Sequence, residues 1–300
     1  MRPTRRQLLL AAGSSAVLAA CGSDSTASTT SSPDANPTIT GVPGTDGAEP
    51  PAGFGVVQRF PNVNLFTPGE VRLPISLTDG QSLLTEGPAQ LSGWITTLDG
   101  TRVADVVGVR RDEGISVPYW EIRVQLDRPL IYTLRFPGDD GFGATFEVWE
   151  PGDVFTPNTG EAMPPFDTPT VDDHRGVEPY CSLTPEPCPL HDVTLTEALA
   201  SGKPVVYMVG TPAFCATGTC APGLEFLVAE HATRGDAVVM VHADVYADDK
   251  GTEVAPAIEA LRTSYEPIIY FMDATGTIVD RLDGVWDASE LRERLDVLLG

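Results

Sequence analysis

The feature that most constrains the fold is a change of hydrophobic period partway along the chain. Between residues 54 and 150, apolar and polar residues alternate in short runs such as Trp120–Leu126. Towards the C-terminus, continuous apolar runs such as Val205–Val209 are separated by helical patterns such as the one over 253–265. Alternation of period two is typical of half-buried strands, whereas short apolar runs between helices are typical of buried parallel strands. The sequence therefore predicts two different architectures in one chain.

The first part predicts an all-β domain over residues 54–150, an antiparallel sandwich of immunoglobulin type. About seven short strands are separated by turn signals such as Asp79-Gly80 and Asp99-Gly100, and no helical period interrupts them. The segment contains no histidine and no cysteine, so it offers no obvious catalytic group. Its tryptophans favour core or interface packing over carbohydrate stacking.

The second part predicts an α/β domain over residues 181–300. Thr194 and Glu197 form a capping-box pattern that starts a short helix, and the elements then follow as βαβ, a helix, two strands and a last helix. Parallel strands need helical crossovers, whereas the two late strands flank a turn at 273–276 and predict a hairpin. A Pro-rich connector over 151–180 joins the domains, and we expect it to be disordered or to wrap a domain surface.

The first twenty residues predict a signal peptide. Three arginines precede the apolar run Leu8–Ala20, which is too short to span a bilayer as a helix. The run ends in Leu18–Gly22, which resembles the lipobox of bacterial lipoproteins. This resemblance implies cleavage before Cys21 and a lipid on its thiol, so that the protein is anchored to the cell membrane on the extracytoplasmic side. The alternative is an ordinary signal peptide that happens to contain a cysteine.

Thr4–Leu9 looks like a twin-arginine export motif, although two arginines also serve a plain secretory leader. Residues 21–53 are rich in Ser, Thr, Asp, Pro and Gly and predict a flexible tether. The formal net charge of the chain is −23, and such an acidic protein repels phosphate and anionic lipid. Nucleic acid is therefore excluded as an expected partner.

Four cysteines remain after Cys21, and they form two close pairs near the C-terminus. In an oxidising compartment such pairs predict disulfides or a redox dithiol. Cys181 and Cys188 flank a proline-stiffened loop, which favours a local structural disulfide. A zinc site that includes His191 is the alternative.

The second cysteine pair lies in a segment that resembles the thioredoxin-like family. The residues that carry the resemblance are Gly202–Cys215, Cys220-Ala221-Pro222 and Glu266–Phe271. In that family a buried strand delivers the reactive cysteines to a helix N-terminus, and a cis-proline faces them. The resemblance implies a thioredoxin-like fold over 181–300, with Cys215, Cys220 and Pro267 at a site of thiol–disulfide exchange.

The spacing departs from the family, in which two residues separate the cysteines; here there are four. Positions five apart point about 140° away from each other on a regular helix, so the pair cannot close there. Gly218 favours a loop before Cys220. Counted from the end of the strand, Cys215 occupies the position of the family's nucleophile; counted from the helix start, Cys220 does, and Gly223 then replaces the second cysteine. We expect Cys220 to start the helix with Cys215 as its upstream partner. A permanent disulfide in a domain that has lost catalysis stays open.

The function expected from these features is thiol–disulfide exchange with extracytoplasmic protein thiols and disulfides, without metal or cofactor. One alternative is a binding or scaffold lipoprotein whose Cys215–Cys220 bond is structural. Another is similarity to SCO-type copper proteins, which combine two cysteines with a distant histidine. The cysteine spacing and the positions of His231 and His242 disfavour copper, and we interpret His242 as a core residue.

Overall fold

The computed structural model describes residues 53–300. The predicted signal peptide, the lipidated Cys21, the export motif and all but the end of the tether lie outside the described residues. Within 53–300, no helix has both the length and the apolar character needed to cross a membrane.

Seven antiparallel strands make up the N-terminal part. Their bounds are β1 Gly55–Gln58, β2 Gly69–Thr78, β3 Gln90–Thr97, β4 Arg102–Arg111, β5 Tyr119–Leu126, β6 Ile131–Arg135 and β7 Ala144–Glu147. They form one sheet in the order β1-β2-β5-β4-β3-β6-β7. Side chains from all these strands enclose a single apolar core, in which Trp120 is fully buried. The prediction of an all-β N-terminal part is therefore confirmed.

The prediction of two separate sheets, as in an immunoglobulin sandwich, is wrong. The halves β1-β2-β5-β4 and β3-β6-β7 have the strand order of the two sheets of a constant-type sandwich, but hydrogen bonds join them. The reason is the length of β4, which pairs with β3 along most of its course. Its last residues, from Val109 to Arg111, then pair with β5. One curved sheet wraps the core instead of two stacked ones.

The C-terminal part alternates helices and strands. The bounds are α1 Leu195–Ala200, β8 Val205–Val209, α2 Cys220–Arg234, β9 Val239–Ala243, α3 Pro256–Leu261, β10 Ile268–Met272, β11 Ile278–Asp283 and α4 Ala288–Leu299. The sheet order is β11-β10-β8-β9, with β8 and β9 parallel and the other neighbours antiparallel. The predicted hairpin is confirmed as β10–β11, and the capping box at Thr194 is present.

Both faces of this second sheet are covered. Alternate side chains of β8 and β10 pack on one face against α2 and α4, and on the other face against α1 and α3. All residues of β8 and β10 are therefore buried, which explains why their sequences are continuous apolar runs. This is the arrangement that the thioredoxin-like resemblance implies.

The Pro-rich connector 151–180 wraps the second sheet. The amide of Gly160 donates to the carbonyl of Ile278 at 2.8 Å, and that of Met163 donates to Gly276 at 2.9 Å. The connector therefore follows the edge strand β11 and covers it. The exact domain boundaries predicted from the sequence stay a prediction.

The two sheets belong to one compact unit. The outer face of β2, β5 and the end of β4 carries polar side chains that are buried against α4 rather than exposed to solvent. Arg72 pairs with Glu290 through two hydrogen bonds of 2.6 Å, Tyr119 donates to the same carboxylate, and Arg111 pairs with Glu293 at 2.6 Å. The two-domain layout predicted from the sequence is therefore not confirmed, because these buried contacts join the two sheets within one unit.

Candidate functional site

Cys215 and Cys220 form a disulfide beyond the carboxyl end of β8. A loop over 210–219 connects that strand to α2, which begins at Cys220 as predicted. The two Cα atoms are 6.0 Å apart, within the usual range for a disulfide. Gly218, with φ 67, lets the loop turn, and its amide donates to the carbonyl of Cys215 at 3.1 Å. The non-helical loop is what allows two cysteines at this spacing to meet.

The two sulfurs differ in their access to solvent. Cys215 is partly exposed and is followed by exposed residues, whereas Cys220 is fully buried. Cys220 occupies the first position of a 15-residue helix, where the macrodipole favours a thiolate over a thiol. An incoming molecule would therefore meet Cys215 first, and Cys220 would react only with Cys215.

Pro267 lies beside the disulfide, and the Glu266–Pro267 peptide bond is cis. A Cβ atom placed on Gly210 would be 3.2 Å from Pro267 Cβ and 3.4 Å from Cys220 Sγ. The strand end, the proline and the sulfur therefore pack closely, with little room for a side chain at position 210. The structure thus brings together the three residues that the sequence predicted for the site.

Glu266 is a member of the site that the sequence prediction missed. Its Oε2 lies 3.5 Å from Cys220 Sγ and accepts a hydrogen bond from the amide of Thr211 at 2.5 Å. Burial raises the pKa of this carboxyl above its ordinary value, against the opposing effect of the Thr211 hydrogen bond. The carboxylate is therefore placed to take a proton from the Cys220 thiol. Its signal in the sequence is its position directly before the proline.

Gly223 occupies the place where the family motif, counted from Cys220, would have its second cysteine. A Cβ atom at Gly223 would lie 2.8 Å from Cζ2 of Trp286, which is itself buried. The Trp286 ring therefore fills the space of a side chain at this position. The partner of Cys220 must come from the loop before the helix, and Cys215 takes that role.

A second cluster of buried side chains lies at β9, which carries His242. Cys181 and Cys188 are both buried and are not bonded to each other, so the predicted structural disulfide is wrong. Their sulfurs lie 3.8 Å and 3.6 Å from Nδ1 of His242, and Nε2 of His191 lies 3.2 Å from the same atom. One ligand atom of each of the four side chains lies within 4.8 Å of the other three.

The four side chains of this cluster are Cys181, Cys188, His191 and His242, and all are buried. Hydrogen bonding with Cys188 lowers the pKa of the Cys181 thiol, and His191 and His242 lower it further against the effect of burial. His242 is therefore not an isolated core residue. The sequence signal for this cluster is the short Cys-x6-Cys-x2-His spacing.

The copper alternative requires a histidine beside the reactive dithiol. Among residues 53–300, the third candidate ligand grouped with Cys215 and Cys220 is Glu266 rather than a histidine. His242 belongs to the cluster of Cys181 and Cys188 instead. The arrangement that SCO-type proteins use is not assembled around this dithiol.

No family model and no curated protein matches the chain. Among solved structures, a protein assigned as the thiol:disulfide interchange protein DsbE from Chlorobium tepidum matches with 13% identity and a TM-score of 0.36, covering 48% of this chain and 100% of its own. A thiol:disulfide interchange protein of the thioredoxin family from Chlorobium tepidum TLS matches with 14% identity and a TM-score of 0.35, covering 48% of this chain and 99% of its own.

Proposed function

We propose that the protein catalyses thiol–disulfide exchange through Cys215 and Cys220. The observation that carries the proposal is the asymmetric pair, in which a partly exposed sulfur is bonded to a buried sulfur at a helix N-terminus. Pro267 and Glu266 adjoin the buried sulfur. A purely structural disulfide needs neither an accessible sulfur nor a carboxylate beside the other.

In the reducing direction, the thiolate of Cys215 attacks one sulfur of a substrate disulfide. A mixed disulfide forms, and the other substrate sulfur leaves as a thiolate that takes a proton from water. Cys220 then loses its proton to the Glu266 carboxylate and attacks Cys215 Sγ. The second substrate sulfur leaves, and the two electrons of the dithiol have passed to the substrate. Oxidation of a substrate dithiol is the reverse sequence.

The substrates that fit this proposal are disulfides or thiols of other extracytoplasmic proteins. We propose in addition that a lipid on Cys21 anchors the protein to the outer side of the cell membrane, on the basis of the lipobox-like sequence. The test is fractionation: the native chain should partition with membranes, and a Cys21→Ser variant should not. Equal partitioning of both would refute the anchor.

Trapping tests the exchange itself. With oxidised glutathione as the probe, Cys220→Ser should accumulate a mixed disulfide on Cys215, because the resolving thiol is gone. Cys215→Ser is the matched control and should accumulate far less, because the remaining sulfur is buried. Mass spectrometry of the intact chain measures both adducts. Titration of the native protein in thiol/disulfide buffers completes the test, since a bond that stays oxidised below about −300 mV and never exchanges would be structural.

A further inference from the structure

We propose that Cys181, Cys188, His191 and His242 hold one tetrahedral zinc-class divalent ion. One ligand atom from each side chain converges, and the four atoms lie within 4.8 Å of one another. Two thiolates and two imidazoles in a tetrahedral set are the donors typical of structural zinc. This site shares no residue with the dithiol, and the proposal does not depend on the proposed exchange activity.

The interatomic distances fit such an ion. With Zn–S near 2.3 Å and Zn–N near 2.0–2.1 Å, tetrahedral geometry separates two nitrogens by about 3.3 Å and a sulfur from a nitrogen by about 3.6 Å. The observed separation of His191 Nε2 and His242 Nδ1 is 3.2 Å. The sulfurs of Cys188 and Cys181 lie 3.6 Å and 3.8 Å from His242 Nδ1.

The hydrogen bonds of the two rings fix their tautomers. His242 Nε2 lies 2.8 Å from the carbonyl oxygen of Gly210, and His191 Nδ1 lies 3.1 Å from that of Pro169. A carbonyl only accepts, so each of these nitrogens carries the proton. In the neutral rings that a metal binds, His242 Nδ1 and His191 Nε2 then face each other with their lone pairs, and a cation between them satisfies both. Imidazole ligands of metals typically donate their other nitrogen in this way.

Burial and charge identify the site as structural rather than catalytic. Both histidines have no exposed surface, and the cysteines are 3% exposed. Four protein ligands fill a tetrahedral shell, so no position remains for water or substrate. Two thiolates balance the charge of a divalent ion, which a buried site requires. The amide of Cys188 also donates to Cys181 Sγ at 3.3 Å, which stabilises a thiolate.

The site has a structural purpose in this fold. It fastens the loop of 181–191, which has no helix or strand, to β9 through His242. The same loop supports the dithiol segment, because Ser182 Oγ accepts a hydrogen bond from the amide of Ala213 at 3.3 Å. The ion would therefore fix the position of the 181–191 loop, which belongs to no helix or strand.

Metal analysis of the full chain, purified from cells supplied with zinc, tests the proposal. We expect one zinc per chain, and a visible spectrum of tetrahedral S2N2 type after exchange with Co²⁺. Cys181→Ser/Cys188→Ser should lose the metal. The matched control Cys215→Ser/Cys220→Ser should retain it, as should His231→Gln, which alters a histidine of α2.

A second measurement covers the case in which the cysteine variant fails to fold. In the native chain, bound metal should protect Cys181 and Cys188 from alkylation until a chelator is added, and peptide mapping identifies the sites. Reloading with Zn²⁺ should restore the protection. A Cys181–Cys188 disulfide in the purified chain, or a metal content that falls in Cys215→Ser/Cys220→Ser but not in Cys181→Ser/Cys188→Ser, would overturn the proposal.

Discussion

The ion pair between Arg72 of β2 and Glu290 of α4 should control whether the two halves of the protein unfold together. Its two hydrogen bonds of 2.6 Å are bidentate, and Glu290 has no exposed surface. Arg72 also donates to the carbonyls of Val285 at 2.7 Å and Asp283 at 3.2 Å. All of these hydrogen bonds join Arg72, in the N-terminal half, to residues of the C-terminal half.

Arg72→Met should destabilise the protein by about 3–5 kcal/mol, because it leaves a buried carboxylate without its counter-ion. For a unit of this size that corresponds to a fall in Tm of about 10 °C. In Arg72→Met/Glu290→Met the loss should be smaller than in Arg72→Met alone, because no charge is then stranded. Arg102→Met is the control: it breaks an exposed pair with Asp105, which should be worth less than about 1 kcal/mol.

The pH dependence of this loss has a definite sign. Burial raises the pKa of Glu290 in the native protein although Arg72 lowers it, and removing Arg72 should raise that pKa further. A protonated carboxyl needs no counter-ion. The stability difference between Arg72→Met and the native chain should therefore be largest at neutral pH and should shrink as the pH falls through the raised pKa.

Denaturant unfolding with two probes measures the effect. The circular dichroism of the helices reports the C-terminal half, which contains α1–α4. Tryptophan fluorescence reports mainly the N-terminal half, which holds three of the four tryptophans. Both transitions should shift together in Arg72→Met. A loss below about 1 kcal/mol, or a shift of one probe alone, would show that the interface does not couple the halves and would refute the reasoning.

Three further substitutions test smaller parts of the structure. Gly223→Ala should destabilise the protein by about 1–3 kcal/mol in denaturant unfolding because its methyl group meets the Trp286 ring, whereas Gly152→Ala, where a Cβ atom meets nothing, should change little. Thr194→Ala should cost about 1 kcal/mol through loss of the α1 cap, and an unchanged midpoint would contradict the capping role. In stopped-flow measurements, resolution of the mixed disulfide should slow as the pH falls through the raised pKa of Glu266. Glu266→Gln should remove that pH dependence. If the dependence of the rate on pH stays the same in Glu266→Gln, this carboxylate is not the proton acceptor.

Local signals in the sequence were enough to predict the helices and strands of the C-terminal half, whereas its fold was implied by the thioredoxin-like resemblance. The capping box at Thr194 and the turn over 273–276 act between residues close in sequence, so each predicts its element directly. The apolar run of β8 reflects burial on both faces. The loop before Cys220 also followed from local geometry, since helical positions at that spacing diverge.

Contacts between distant residues were not predictable in the same way. The pairing of β4 with both β3 and β5 depends on the curvature of the whole sheet, which no short pattern encodes. Arg72 lies at a position of β2 where the alternation of polar and apolar residues predicts exposure to solvent. Its partner Glu290, which buries it, is 218 residues away in the sequence. Glu266 became recognisable as a site residue only once the fold placed it against Cys220.

The predicted Cys181–Cys188 disulfide is wrong because a distant residue, His242, lies against both sulfurs, 54 positions after Cys188. Close spacing and an oxidising compartment favour a disulfide whenever only the pair is considered. The fold adds an imidazole from β9 at 3.6 Å and 3.8 Å from the two sulfurs, and this changes which chemistry satisfies them best. A short Cys-x6-Cys-x2-His segment is thus half of a site, and the other half is a strand residue that sequence spacing cannot identify.

The two cysteine sites are connected through Gly210, and this connection determines how they should respond to each other. Its carbonyl accepts the hydrogen bond from His242, and a Cβ atom placed on it would lie 3.2 Å from Pro267 Cβ and 3.4 Å from Cys220 Sγ. Removing a metal from His242 would free the imidazole to move and would weaken its hydrogen bond to the Gly210 carbonyl. The sulfurs of Cys215 and Cys220 would not be altered directly. Chelation should therefore change the rate at which Cys215 and Cys220 exchange. Reducing the disulfide should leave the metal in place, because all four proposed ligands are buried and none of them belongs to the dithiol. Such a one-sided response would distinguish a structural ion that supports the loop from a metal that takes part in the redox chemistry.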